Sequence, residues 1–139
     1  MTQNVHANIR AAARQLLGTV AGAPAAKAWE GEVYNPVRGT PYVSESARPG
    51  PSVVRGVGSG GAQQHTIRLN WTLHYPAGKG TAAIESAASA IMDAFKPGTG
   101  LAYSTQTGTV MQCERTPLVP DPDWLSCTVT ATVTAYTFG

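Results

Sequence analysis

The sequence predicts an α+β fold. A single domain, residues 1–139, holds an antiparallel β-sheet with two α-helices packed on one face and a long glycine-rich loop over residues 49–62. Three observations lead there. Ile67, Leu69, Trp71, Leu73 and Tyr75 alternate with Arg68, Asn70, Thr72 and His74, which is a strand with one face in a core and one wet. Two other segments repeat their apolar residues at steps of three and four, the period of a helix with one buried stripe. The remaining strands follow one another mostly without crossover helices, which favours antiparallel pairing.

Taken in order, residues 3–21 read as the first helix, with Val5, Ile9, Ala12, Ala13, Leu16, Leu17 and Val20 as its stripe. Arg10 and Arg14 fall on its polar side, Thr2 or Asn4 is placed to cap it, and Gly22 to Pro24 close it. A helix this short is stable only against the sheet. Residues 27–34 read as a strand with Trp29, Gly31 and Val33 on one face, followed by a loop over 35–40. Residues 41–48 read as a second strand, with Pro41 tolerable only at its start.

Pro49 to Gly61 mixes Pro49 and Pro51 with Gly50, Gly56, Gly58, Gly60 and Gly61, and reads as a long loop that is mobile or ordered only on assembly. Gly56, Gly58 and Gly61 spell a G-x-G-x-x-G, but a dinucleotide loop requires a strand before it and a helix after it, and an alternating strand follows here. That strand spans 64–75. Pro76 to Gly80 breaks it, Thr81 suits an N-cap, and Ile84, Ala87, Ala88, Ile91 and Phe95 line the second helix up to Pro97-Gly98. Short strands are expected at 101–103 and 108–115. Residues 116–123 are expected to be irregular because Pro117, Pro120 and Pro122 remove donors. Leu125 to Ala135 alternates apolar residues with Ser126, Thr128, Thr130, Thr132 and Thr134 as a long last strand.

Catalytic and metal chemistry find little support. His65 and His74 share a strand but sit at odd and even positions, on opposite faces, and His6 has no second ligand one turn on. Asp121 and Asp123 flank Pro122 as ordinary turn residues. Neither a G-x-S-x-G elbow nor a cysteine with a placed histidine occurs, so no enzyme, cofactor or metal is expected. Cys113 and Cys127 lie on alternating apolar segments and read as free core thiols. Charged residues make up 13% of the chain, about half the usual share, which suits a surface partly covered by other protein. A net charge of +2 does not by itself argue for nucleic-acid binding. The sequence shows neither a membrane-length apolar run nor a signal-peptide pattern, and use in a cytoplasm is expected.

In Ala28-Trp29-Glu30-Gly31 leading to Pro36, in Pro41-Tyr42-Val43, in Tyr75-Pro76-Ala77-Gly78, in Ala94-Phe95-Lys96-Pro97-Gly98-Thr99 and in Arg115-Thr116-Pro117 before Trp124, the chain resembles the tail terminator (tail completion) proteins of siphovirus-like bacteriophages. The resemblance runs through nearly the whole chain in order. It implies a homo-oligomeric ring, typically a hexamer, on the head-proximal end of the virion's tail tube, assembled in the host bacterial cytoplasm. Such a ring stops tube protein from polymerising and offers a surface to neck or head-completion proteins, while DNA passes through the lumen without specific binding. It implies no membrane partner. The physical reading adds Arg48, Arg55, Val57 and Trp124 as interface residues. Two arginines and a valine lie at or within the glycine-rich stretch, and a large aromatic lies beside a proline-rich turn. The alternatives are another neck, head-closure or tube-like ring protein, or a small cytosolic ligand-binding domain in which His74, Asp93 or Asp123 converge on a cleft.

Overall fold

The computed structural model describes residues 4–54 and 62–138. The elements are α1 (Val5–Gly18), β1 (Ala26–Ala28), β2 (Tyr42–Val54), β3 (Ala62–Pro76), α2 (Ala82–Ala94), β4 (Gly100–Tyr103), β5 (Gln106–Arg115), β6 (Val119–Pro120) and β7 (Trp124–Phe138). One strongly curled sheet runs β1-β2-β3-β7-β5-β4, with β6 added beside β7. Its spine is the β3–β7 pair, in unbroken antiparallel register from Ala62 opposite Phe138 to Pro76 opposite Trp124.

That register fixes the two faces. Ile67, Leu69, Trp71 and Leu73 lie opposite Val133, Ala131, Val129 and Cys127, and all eight are buried. Both helices lie on this face. Val5, Ile9, Ala12, Ala13 and Leu17 of α1, with Ile84, Ala87, Ala88 and Ile91 of α2, close one core, and Phe95 beyond α2 packs on Trp71 with ring centroids 4.2 Å apart. Two glycines permit the close approach. A Cβ on Gly108 of β5 would lie 2.7 Å from Ile9 Cδ1, and one on Gly22 would lie 2.8 Å from Ala90 Cβ. Asn4 caps α1 by accepting from Ala7 N–H, whereas Thr81 occupies the N-cap of α2 without a side-chain bond.

The expected α+β layout therefore holds, with five local differences. Pairing is antiparallel except between β1 and β2, which run parallel, Ala26 opposite Tyr42. A parallel pair needs a return path of about a dozen residues or more, and residues 29–41 supply it. The strand expected over 27–34 accordingly stops at Ala28. Glu32 N–H donates to Trp29 O in a turn, Gly31 takes a left-handed φ of +87°, and Val33 is 92% exposed rather than on a sheet face.

The second strand runs past its expected end at residue 48 to Val54, so residues 49–54 are strand rather than loop. A register shift between Pro49 and Ser52 marks a bulge, where a Cβ on Gly50 would sit 3.1 Å from the Thr66 side chain. Ala47 N–H points to the outer edge of β2, where Glu30 Oε1 accepts it at 3.0 Å. Alternation sends the nitrogen of Pro49 the same way, so this proline deletes no bond to β3. The rest of the expected loop, residues 55–61 with the G-x-G-x-x-G, lies outside the described residues. α1 is shorter at both ends than the 3–21 stripe suggested, because Thr19 already leaves the helix as its C-cap. Residues 116–123, expected to be irregular, include the two-residue strand β6, with Val119 opposite Ser126.

Candidate interaction surfaces

The segment after β1 is locked to α1 and β2 by charge. Arg14 of α1 donates through Nε and Nη2 to both carboxylate oxygens of Glu45 at 2.6 to 3.1 Å, and Glu30 N–H adds a bond of 3.3 Å. Glu45 lies on the helix-covered face with its side chain 1% exposed. The guanidinium of Arg14 also sits 4.9 Å over the Trp29 ring. Its pKa is held above the ordinary arginine value, chiefly by the hydrogen bonds to Glu45. Arg10 pairs with Glu30 at 2.7 Å. Arg10 and Arg14, which the helical pattern put on a polar side, are thus the clasp of segment 29–32. Beyond the clasp this segment displays Val33 and Val37, 92% and 59% exposed, on an ordered path whose Thr40 N–H returns to Val37 O.

The other face of the sheet carries no helix. Its rows read Arg48–Arg68–Thr132–Gln112, then Ser46–Asn70–Thr130–Glu114, then Ser44–Thr72–Thr128 across β2, β3, β7 and β5. The curl makes this face a hollow of about 610 Å³. Thr72 and Thr128 share a hydroxyl hydrogen bond of 2.9 Å, and the Thr130 hydroxyl donates to Asn70 Oδ1 at 2.8 Å.

One end of this face is aromatic. His74 stacks on Tyr42 at 4.3 Å, Trp124 meets Tyr42 edge-on at 5.3 Å, and Tyr34 tilts onto Tyr42 at 5.0 Å. Ser44 Oγ lies 3.1 Å from His74 Nε2. Burial lowers the pKa of His74, against a smaller opposing pull from Asp121. Asp121 accepts from the N–H groups of Trp124 and Asp123, which lowers its own pKa, so Asp121-Pro122-Asp123 is turn chemistry as its sequence suggests. Val119, 55% exposed, lies beside this end on β6.

At the opposite end, His65 Nδ1 meets Ser52 Oγ at 3.0 Å and Nε2 meets Thr137 Oγ1 at 2.8 Å, and His6 touches its ring edge-on at 5.9 Å. Burial, then His6, lowers the pKa of His65. His65 belongs to the helix-covered face and His74 to the open one, as their odd and even positions require.

The expected interface residues are spread rather than gathered. Arg48 stands on the open face directly opposite Arg68. Trp124 closes the aromatic end of the same face, eight residues further along β3, about 27 Å on a strand. Arg55 and Val57 lie outside the described residues. His74, Asp93 and Asp123 do not converge, since Asp93 is exposed on α2, across the sheet from His74. Sequence reasoning missed Arg68 as the partner of Arg48 and Glu45 as the partner of Arg14. Only the β2–β3 register reveals the first, while the second had a signal, a charge at an inward-facing position of a strand. Cys113 and Cys127 are free thiols, and burial pushes the Cys113 thiol up to about 11. Among the described residues no group of His, Cys, Asp or Glu could hold a metal ion, and no helix is long and apolar enough to cross a membrane.

Compared with protein families, residues 8–132 match the one described as phage tail terminator protein. No curated protein matches the chain. A solved chain without a descriptive name superposes with TM-score 0.73 at 13% identity, over 97% of this chain and 96% of that one. A chain from the virion of a native gene transfer agent (GTA) particle superposes with TM-score 0.52 at 23% identity, over 99% of this chain and 100% of that one.

Proposed function

The chain belongs to the phage tail terminator family, and from that premise we propose that it forms a ring, a hexamer, on the head-proximal end of the tail tube. In this reading the ring stops addition of tube protein and presents its other side to neck or head-completion proteins, with DNA passing through the lumen. The family is a structural one, and the chain acts by binding, not by catalysis.

The observation that carries assembly is the display of Val33 and Val37 just beyond the clasped residues 29–32, with Val119 and the half-buried Trp124 on the open face's aromatic end. A lone domain gains no burial energy from valines held in water. A subunit contact does, because pre-ordered apolar residues dock without further entropy cost. The two ends of the sheet also differ in chemistry, as a ring with two different axial neighbours requires. Subunit contacts around such a ring join two unlike patches.

The test is to mix the purified protein with its tube protein and measure tube length by negative-stain electron microscopy, with mass by light scattering. Rings of about six subunits and tubes capped at one end, growing no further, are the expected result. A strict monomer that leaves tube growth unchanged would overturn it. A ring that binds neck protein and ignores tube protein would move the assignment to a head-closure ring.

A further inference from the structure

We propose that the open face of the sheet is a weak, sequence-independent contact for the phosphate backbone of duplex DNA, centred on Arg48 and Arg68. The proposal rests on the ring reading only for what brings DNA to this face. The contact itself is argued from the chain.

Arg48 of β2 and Arg68 of β3 are direct cross-strand neighbours. Like charges so placed repel and cost stability unless something neutralises them. Both are exposed, and among the described residues neither side chain makes an ion pair or a hydrogen bond. Every other arginine with a defined partner sits on the helix side, in the Arg10–Glu30 and Arg14–Glu45 pairs. The chain therefore pairs the arginines that hold its fold together and leaves two adjacent ones free in a hollow. Adjacent strands are about 4.8 Å apart, so the two guanidinium groups stand side by side, and each can hold one backbone phosphate through its fork of donors.

The surroundings choose among anions. The arginine row and the one beside it supply the Thr132 hydroxyl and the Asn70 amide NH2, donors that suit phosphate and sugar oxygens and carry no base code. The hollow spans β2, β3, β7 and β5 and lies at the surface rather than enclosed, which fits a polymer lying across it better than a buried small anion. Among the described residues the aromatic rings of this face lie toward its ends, Tyr42, His74 and Trp124 at one and the exposed Tyr136 at the other, and none lines the hollow between. The middle thus has no platform for stacking on unpaired bases, the usual mark of a single-strand groove. Glu114 lines the same hollow and opposes the arginines. One carboxylate against two guanidinium groups leaves a small positive excess, so DNA is held lightly and can slide.

The experiment is fluorescence anisotropy of a labelled DNA duplex with the full chain, from low to moderate salt. Two phosphate contacts per protomer predict a log–log salt slope of about −1.8 per protomer, and R48S/R68S should lose that slope and roughly tenfold or more in affinity at low salt. R48S and R68S singly should each lose about half the slope, and E114Q should tighten binding. Absence of wild-type binding at low salt, or an unchanged slope in R48S/R68S, overturns the proposal. Inorganic phosphate that strips the duplex better than chloride at matched ionic strength also overturns it, in favour of a small-anion site. Tube capping by the wild type is scored separately. Capping without DNA binding sinks this contact alone, and failed capping by the wild type sinks the ring reading alone.

Discussion

Arg14 and Glu45 show how much one pair can carry. The Glu45 carboxylate is withdrawn from water and offset by a two-point guanidinium fork and a backbone N–H. Arg14→Met removes the offset and strands the charge, so we expect a loss of about 3 kcal/mol in urea denaturation. Replacing both, R14M/E45M, should cost less than R14M alone, because the stranded charge is gone. Equal costs would mean that the pair is not coupled. His65 carries a pH signature instead. Its folded-state pKa lies below the ordinary 6.5, depressed by burial and by His6, so just below pH 6.5 the unfolded chain binds more protons than the folded one. Stability is then complete above pH 6.5 and falls as the pH drops from there through the depressed value. His74 shifts in the same direction. Melting temperature should decline between pH 7.5 and 5.5, and His65→Gln should flatten that decline. An unchanged slope would remove His65 from the account.

Among the elements, α1 depends on a gap left for it in β5. Gly108 lies under Ile9, with Val133 Cγ1 and Thr134 O also within 3.3 Å of where a Cβ would stand. Gly108→Ala overfills this contact at a cost of about 1–3 kcal/mol. Gly18→Ala, in the same helix with nothing within 4 Å, should instead gain about 0.5–1 kcal/mol from helix propensity. Opposite signs in thermal melts are the expected outcome, and a neutral Gly108→Ala would show that α1 can ride higher on the sheet. Elements with a clean period were legible in the sequence. β3 and β7 alternate, α1 and α2 repeat their stripes, and each appears within a few residues of its expected bounds. β1 and the far half of β2 were not legible, because their signals are non-local. Parallel pairing three residues long leaves no pattern, and Pro49-Gly50-Pro51 reads as a linker until the β3 register shows it to be a bulge on an outer edge.

For the whole molecule, the fold class followed from the order of periodic segments. The family followed from sequence features spread along the chain, which no single motif carries. The proposed interaction surface was only half legible. Arg48 and Trp124 were singled out by residue type, but that they share one open face, the arginine mid-strand and the tryptophan at its end, depends on a register that pairs residues far apart in sequence. The same register bears on the order in which the molecule comes into being. β7 is the last of the described strands in the chain and yet stands in the middle of the sheet, between β3 and β5. Until Trp124 and the residues after it have been translated, the strand that joins β1-β2-β3 to β4-β5 is missing, and the two halves cannot form one sheet. Neither half has the four-strand hollow, and neither closes the core. On the proposed ring reading, the joined sheet forms in one late step, and an interrupted translation product is expected not to enter a growing particle as a cap.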